Sequence, residues 1–497
     1  MTRRKLLVAN RGEIAIRIFR ACREMEIPTV AVYSDADHGS LHVSYADEAY
    51  RIGPASARES YLAVDRILEA AKKSGATMVH PGYGFLAENA PFARACAGAG
   101  LVFVGPPPEA IEAMGSKTES RRRMIEAGVP VVPGMSRAAS AEDLRSFGRQ
   151  AGYPILLKAS AGGGGKAMRV VAAEEEIGAA FERATAEAVA FFGDGAVYAE
   201  KLVSGARHVE VQVVFDAAGK GVAVGERECS IQRRHQKVVE ECPSPVVDAE
   251  LRGRMSEAAL AAARAVGYVS CGTVEFLLDA EKNFYFLEMN TRLQVEHPVT
   301  EEVWGVDLAR EMISIASGAE LSFSAADISP RGHAIECRIY AEDPRRQFAP
   351  SPGRIESLVL PQGPGVRHDI GVETGSVVPI DYDPMLGKLI VHGRDRGEAI
   401  ARLSRALTEY DVVGIRTSLP FFQALVDDAD FAAARFDTGW LDRRLAAGLF
   451  IPPLPADDDL AVLAAAVLAR SEEKRFAAPK RGRVSAWREA ARRGALR

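Results

Sequence analysis

The segment 275–297 constrains the fold most, because acids, amides and a guanidinium recur along a stretch that is otherwise apolar. A strand turns successive side chains to opposite faces. Glu288, Asn290, Arg292, Gln294 and Glu296 are therefore expected on one face, with Leu287, Met289, Leu293 and Val295 on the other. Two apolar runs, 273–278 and 284–288, flank a turn-like stretch at 279–283, and a hairpin there sets Glu275 opposite Glu288. Carboxylates gathered in this way repel unless a cation joins them. Oxygen donors beside an amide suit Mg²⁺ or Mn²⁺, which commonly sit between one or two protein carboxylates and the phosphates of a nucleotide. Glu275, Glu288 and Asn290 are the expected metal ligands. A merely solvated strand face would explain two acids, but not an arginine and further acids beside them.

At 497 residues the chain has room for about three domains. A net charge of −5 argues against a general nucleic-acid or membrane-surface binder and confines positive charge to local pockets. The cysteines at 22, 96, 229, 242, 271 and 337 form no Cys-x-x-Cys pair and are expected as reduced thiols without structural zinc. No apolar signal region or membrane-length run is seen, so a cytoplasmic location is expected.

Residues 5–10 read as a buried strand, the stripe Ile14, Ile18, Phe19, Cys22 and Met25 as a helix, and 29–33 as a second strand. This βαβ start is Rossmann-like, but Asn10-Arg11-Gly12-Glu13 has one glycine where the dinucleotide fingerprint has three, so nicotinamide binding is not expected. The stretch 80–89 follows a strand and precedes a helix, which puts its loop at the carboxyl edge of a parallel sheet. Tyr83 is the candidate there to touch a ligand; an ordinary glycine turn is the plainer reading.

Proline clusters at 106–108 and 129–134 mark a handover between domains, and the charged helix between them carries Lys117 near its start. A small α/β block follows over 131–205. Within it Gly162, Gly163, Gly164 and Gly165 join two strands, a loop whose bare amides can close on phosphate oxygens between Lys158 and Lys166. It is not a Walker loop, since Ser160 stands five before Gly165 and Ala167 follows Lys166. Residues 228–241 gather several donors, with His235 and Lys237 expected on one strand face as a small-anion site. Residues 332–343 alternate as a strand presenting Glu336 and Arg338 together. Short strands run on to Lys388, and helix is expected from there to about 445. From Arg470 onward ten Lys or Arg face three Glu, the composition of a solvated tail or of a segment that docks on an acidic partner.

Five of these motifs together resemble biotin carboxylase, the ATP-grasp subunit of biotin-dependent acyl-CoA carboxylases: Asn10-Arg-Gly-Glu-Ile-Ala, the 80–89 loop, the glycine lid, Gln232-Arg-Arg-His-Gln-Lys, and Glu288 through Thr300. They occur in the family's order and spacing over roughly nine tenths of the chain. The resemblance implies a mixed α/β and α+β architecture. It would comprise an N-terminal Rossmann-like (pre-ATP-grasp) domain at 1–115, an ATP-grasp domain at 116–330 with a mobile lid at 131–205, a C-terminal mixed β/α domain at 331–447 and an extension at 448–497. It implies ATP held by Lys117, Lys158, Gly164, Gly165, Glu200, Lys201, Val203, His208, Gln232 and His235, with Mg²⁺ or Mn²⁺ on the carboxylates already singled out. It further implies bicarbonate bound by Lys237, Arg292, Gln294 and Val295, Glu296 as general base, and biotin facing Arg338 and Tyr83.

The implied activity is ATP-dependent carboxylation of carrier-bound biotin through carboxyphosphate, within an acetyl-, propionyl- or methylcrotonyl-CoA-type carboxylase. The implied partners are a biotin carboxyl carrier protein, a carboxyltransferase subunit and a second copy of the chain. No Met-Lys-Met biotinylation site occurs in the sequence, so a separate carrier is expected. The lid departs from the family pattern: Ala161 stands for its first glycine, and Lys166-Ala167 follows the last. The same lid and metal strand would also serve another ATP-grasp ligase, from which Arg338 and Lys237 are the distinguishing residues.

Overall fold

Leu6, Leu7 and Val8 are fully buried, as a strand covered on both faces by helices must be. In the computed structural model, which describes residues 4–451 except 136–139, 160–167 and 194, together with Ala464 and Val467, they form the central strand of a five-stranded parallel sheet. Leu6–Val8 pairs with Thr29–Ser34 on one side and Met78–His80 on the other, so strand order reverses there. The loops that leave these two strands meet at the switch point where ligands of open α/β sheets sit. Asn10 fastens them, its Nδ2 donating to the carbonyls of Pro81 at 2.8 Å and Tyr83 at 2.7 Å. Gly82 has φ +65°, and a Cβ there would lie 2.8 Å from Asn10 Nδ2, so both conformation and space demand glycine.

An eight-stranded sheet forms the body of the molecule. Its order is Phe284–Asn290, Ser270–Leu278, Arg207–Phe215, Gly221–Arg233, Gln236–Cys242, His333–Tyr340, Met385–Gly393 and Val366–Ile370. The sheet runs unbroken past residue 331, because Val239 pairs with Cys337. Strand Arg207–Phe215 shows how it is built: Val209, Val211 and Val213 enter an apolar core, each contributing about 1.5–3 kcal/mol, while His208, Glu210 and Gln212 turn the other way yet are buried too. The last three strands repeat the division. Cys337, Ile339, Leu389 and Val391 join a core with the helices Arg396–Glu409 and Leu419–Val426, whereas Glu336, Arg338, Lys388 and Asp369 occupy the opposite face. A short strand, Asp411–Val413, pairs with Ser357–Val359 and interrupts the helical run expected to 445.

A small antiparallel sheet places Ile155–Ala159 between Met168–Val171 and Val197–Lys201, packed against the helices Ala141–Ala151 and Ile177–Phe192. The glycine loop joins the first two of these strands. Gly164 and Gly165, together with Lys166 and nearly all of the extension past 451, lie outside the described residues.

Two expectations about local structure are corrected. The polar strand ends at Asn290: residues 291–296 leave the sheet, and Glu296 stands at the start of the helix His297–Trp304. Leu293 draws the chain away, buried in the core shared with the helix Gly12–Glu24, and Pro298 has no N–H to continue a ladder. His235 is not on a strand face with Lys237. With Arg234 it forms the hairpin tip, at φ +50° for Arg234 and +66° for His235, the twist that a two-residue turn requires.

Candidate active site

One cleft of about 940 Å³ gathers nearly every described residue expected in the site. Its lining includes Lys117, Lys158, Glu200, Lys201, Val203, His208, Gln232 and His235, together with Lys237, Asn290, Arg292, Gln294, Val295, Arg338 and Tyr83 and the acids Glu275 and Glu288. Glu296 is fully buried just behind this lining.

Lys237 organises the centre. Its Nζ donates to Glu275 Oε1 and to Glu296 Oε1 at 2.7 Å each, and it is also paired with Glu210. Burial alone would lower its pKa, but Glu210, Glu275 and Glu296 outweigh that and raise it well above the ordinary lysine value. The same attraction works in reverse on the acids. Burial opposes charge on Glu296, yet Lys237, Arg338 and Arg227 hold its carboxyl well below the usual range. Glu275 is likewise lowered against its burial by Lys237 and His208, with His208 Nε2 3.0 Å away.

Arg338 spans two acids, Nε to Glu240 Oε1 at 2.7 Å and Nη2 to Glu296 Oε2 at 2.9 Å. Arg292 leaves the strand end and is aimed by three partners: Glu88 Oε2 at 2.9 Å, Gln294 Oε1 at 3.0 Å and Asn290 Oδ1 at 3.0 Å. Behind them Arg227, wholly buried, is satisfied by Glu210, Gln212, Thr273 and Thr300. A buried guanidinium is tolerated only with such complete pairing.

Elsewhere in the lining, Lys158 is paired with Glu200, and His208 Nδ1 lies 2.9 Å from Gln232 Nε2. Burial lowers the Lys117 ammonium; Glu288 partly offsets this, and Lys158 adds to it by like charge. Leu156, Met168, Leu202, Leu277 and Leu287 contribute apolar lining to the cleft.

The metal donors fit in part. Glu275 and Glu288 face each other in register on the paired strands. Glu288 reaches the cleft, where surrounding protein and the Glu275 charge raise its pKa; a divalent cation would relieve both effects. Asn290 donates through Nδ2 to Glu275 Oε1 at 2.8 Å while its Oδ1 accepts from Arg292. That bond uses one of the two lone pairs on its oxygen. His208, Glu210 and Glu275 also cluster, but Lys237 already neutralises both acids.

Residue-level reading of the sequence passed over Glu210, Glu88, Glu240 and Lys388. Glu210 had a signal, the alternation His208-Val-Glu210-Val-Gln212. Glu88, Glu240 and Lys388 had none, because their roles depend on partners 98 to 204 residues away or, for Lys388, on a backbone carbonyl 93 residues distant.

Three family models cover most of the chain: the biotin carboxylase N-terminal domain over residues 2–111, the carbamoyl-phosphate synthase L chain ATP-binding domain over 116–324, and the biotin carboxylase C-terminal domain over 336–443. A biotin carboxylase of Halalkalibacterium halodurans is 53% identical over 443 residues, 89% of this chain and 98% of that protein. The propionyl-CoA carboxylase alpha chain of Ruegeria pomeroyi is 47% identical over 502 residues, 97% of this chain and 73% of that one. Among solved structures, a Campylobacter jejuni biotin carboxylase in a β,γ-ATP complex aligns with TM-score 0.85 at 45% identity, over 88% of this chain and 98% of that one. The biotin carboxylase domain dimer of Hydrogenobacter thermophilus 2-oxoglutarate carboxylase, with MgADP, ADP and bicarbonate, aligns with TM-score 0.85 at 44% identity, over 91% and 99%.

Proposed function

The chain belongs to the biotin carboxylase family, and from that premise we propose how its cleft divides the work of ATP-dependent biotin carboxylation. The enzyme uses bicarbonate and ATP to carboxylate biotin, as the biotin-carboxylating component of an acyl-CoA carboxylase. Lys117 and Lys158 take the phosphates, and Glu200, Lys201 and Val203 with His208, Gln232 and His235 hold the rest of the nucleotide against the leucine-lined wall. Lid residues Gly164 and Gly165 are assigned to phosphate by the family motif alone. Mg²⁺ or Mn²⁺ on Glu275 and Glu288, with Asn290 as a further donor, would neutralise charge on the phosphate oxygens.

Bicarbonate enters between Arg292, Gln294, Val295 and Lys237. Its oxygen attacks the γ-phosphorus, the bond to ADP breaks, and Glu296 takes the proton, giving carboxyphosphate. The observation that carries this reading is the double clamp on Glu296 by Lys237 and Arg338. While both cations face it the carboxylate is anionic but weakly basic. When Lys237 turns to bicarbonate, or Arg338 to the acceptor, its proton affinity rises, so the base is activated by the substrates it serves. Carboxyphosphate then breaks to CO₂ and phosphate, phosphate removes the ureido proton, and the nitrogen adds to CO₂ with Arg338 as counter-charge and Tyr83 beside it.

The partners are a biotin carboxyl carrier protein, a carboxyltransferase subunit and a second copy of the chain. The proposed location is the cytoplasm. Among the described residues no helix is long and apolar enough to cross a membrane. ADP release measured with and without bicarbonate and free biotin tests the activity, and turnover indifferent to bicarbonate would sink it. Arg338→Gln should remove biotin-dependent turnover; full retention would instead favour a ligase with a different acceptor.

A further inference from the structure

Lys388 is an ammonium buried to 1% exposure on the strand Met385–Gly393, an expensive placement that needs a reason. It lies opposite Arg338 on one side and Asp369 on the other, on the charged face of the sheet. Its Nζ donates to the carbonyl of Val295 at 2.8 Å and lies 3.3 Å from Glu13 Oε1 and 3.8 Å from Asp369 Oδ2. Burial opposes its charge, but Glu13, Glu336 and Asp369 outweigh that and raise its pKa, so it stays an ammonium.

Glu13 sits in the first turn of the helix Gly12–Glu24 and is only 4% exposed. The same oxygen that faces Lys388 accepts the hydroxyl hydrogen of Tyr83, while its other oxygen makes no hydrogen bond among the described residues. The helix start cannot drift from the sheet. A Cβ at Gly371, just past the strand Val366–Ile370, would lie 2.6 Å from Glu13 N, so backbone meets backbone there. Tyr83, Glu13, Lys388 and the Val295 carbonyl thus form one continuous chain of contacts, buried at Glu13 and Lys388, from Tyr83 in the cleft lining to the residue preceding Glu296.

We propose that Glu13 and Lys388 are a positioning pair that couples seating of the acceptor at Tyr83 to the presentation of bicarbonate by the Val295–Glu296 turn. The link rests on the functional reading above and deepens it. Neither residue needs to touch a reacting atom: Lys388 fixes the turn by its carbonyl, and Glu13 fixes Lys388 and Tyr83 by one oxygen. A shift of about 1 Å in such a turn is enough to cost on the order of 10²-fold in rate.

The test measures KM for bicarbonate, KM for free biotin and Kd for ATP in purified full-length Glu13→Gln, Tyr83→Phe, Lys388→Met and the Glu13→Gln/Tyr83→Phe double variant. Glu13→Gln is expected to raise the bicarbonate KM about tenfold, although Glu13 does not contact Val295, with ATP affinity and Tm little changed. Tyr83→Phe should raise it in the same direction, and the double variant should be no worse than Glu13→Gln, because one chain is cut once. Lys388→Met should show the largest rise; should it fail to fold, the Glu13 and Tyr83 variants still decide. A Glu13→Gln or Tyr83→Phe enzyme changed only in biotin KM, or additive effects in the double variant, overturns the coupling. Absence of bicarbonate-dependent ADP release in the unaltered enzyme would overturn the functional reading instead.

Discussion

Glu275, Glu288 and Asn290 are positioned by a backbone ladder, whereas Arg292, Val295 and Glu296, only a few residues further on, are positioned by side chains from elsewhere. In the first group, strand Ser270–Leu278 pairs with Phe284–Asn290 across a tight turn, and Thr273 faces Asn290 and Glu275 faces Glu288 in register. In the second, Arg292 hangs on Glu88, the Val295 carbonyl on Lys388, and Glu296 on Lys237 and Arg338. The backbone contacts of the first group are local in sequence and made of hydrogen bonds that any residue supplies, although Lys237 and His208 also reach Glu275. Those of the second come from four separate segments and vanish with one side chain. The half proposed to hold metal and nucleotide should therefore tolerate substitutions around its strands, while the half proposed to activate bicarbonate should be sensitive to residues far from the chemistry.

Glu296→Gln probes the second half most severely. Bicarbonate-dependent ATP cleavage should fall by about 10²–10⁴-fold while the nucleotide Kd changes little, read by ADP release and by direct titration. An unaltered rate would break the assignment of Glu296 and with it the contrast. Glu288→Gln addresses the first half. The Mg²⁺ concentration for half-maximal rate should rise by at least the roughly 10–100-fold seen when even an outer partner of a metal is lost, with bicarbonate KM at saturating metal unaffected. A bicarbonate defect there would mean the halves are not separable.

Glu88→Gln should be milder, raising bicarbonate KM up to about fivefold, since the Arg292–Glu88 pair is partly exposed and such pairs are weak. The smallest effect is expected from Glu240→Gln. Burial and Glu296 push the Glu240 carboxyl up to about 7 despite Arg338, so between the usual carboxylate range and that value the folded protein binds the extra proton. A raised carboxyl pKa contributes stability below the window that is lost as pH rises through it. Tm measured across pH 5–8 should decline less in the variant than in the unaltered protein.

Much of this was legible beforehand. The hairpin and the βαβ start follow from alternation and turn residues, but Glu275 meets Glu288 only because the register shifts between Glu275 and Phe276, which alternation does not reveal. What alternation could not foresee is where it stops. Past Asn290 the polar residues continue every second position, yet burial of Leu293 against the helix Gly12–Glu24 outweighs further strand pairing. The same side chains still reach the cleft, by a turn rather than by a pleat. His235 shows the other limit: its place at a hairpin tip rests on backbone dihedrals that the donor-rich composition around it does not reveal.

By itself the sequence determined which residues could do the chemistry and which two strands carry Glu275 and Glu288, because side-chain type and period-two spacing are local properties. Only the tertiary structure decided the electrostatic state of the site: which cation rests on Glu296, why Lys388 is buried, and how Glu13 on the first helix meets the turn before the base. Those outcomes depend on charges from tens to hundreds of residues apart being closed off from water together, and Coulomb interaction in a dry interior is set by distance in space, not along the chain.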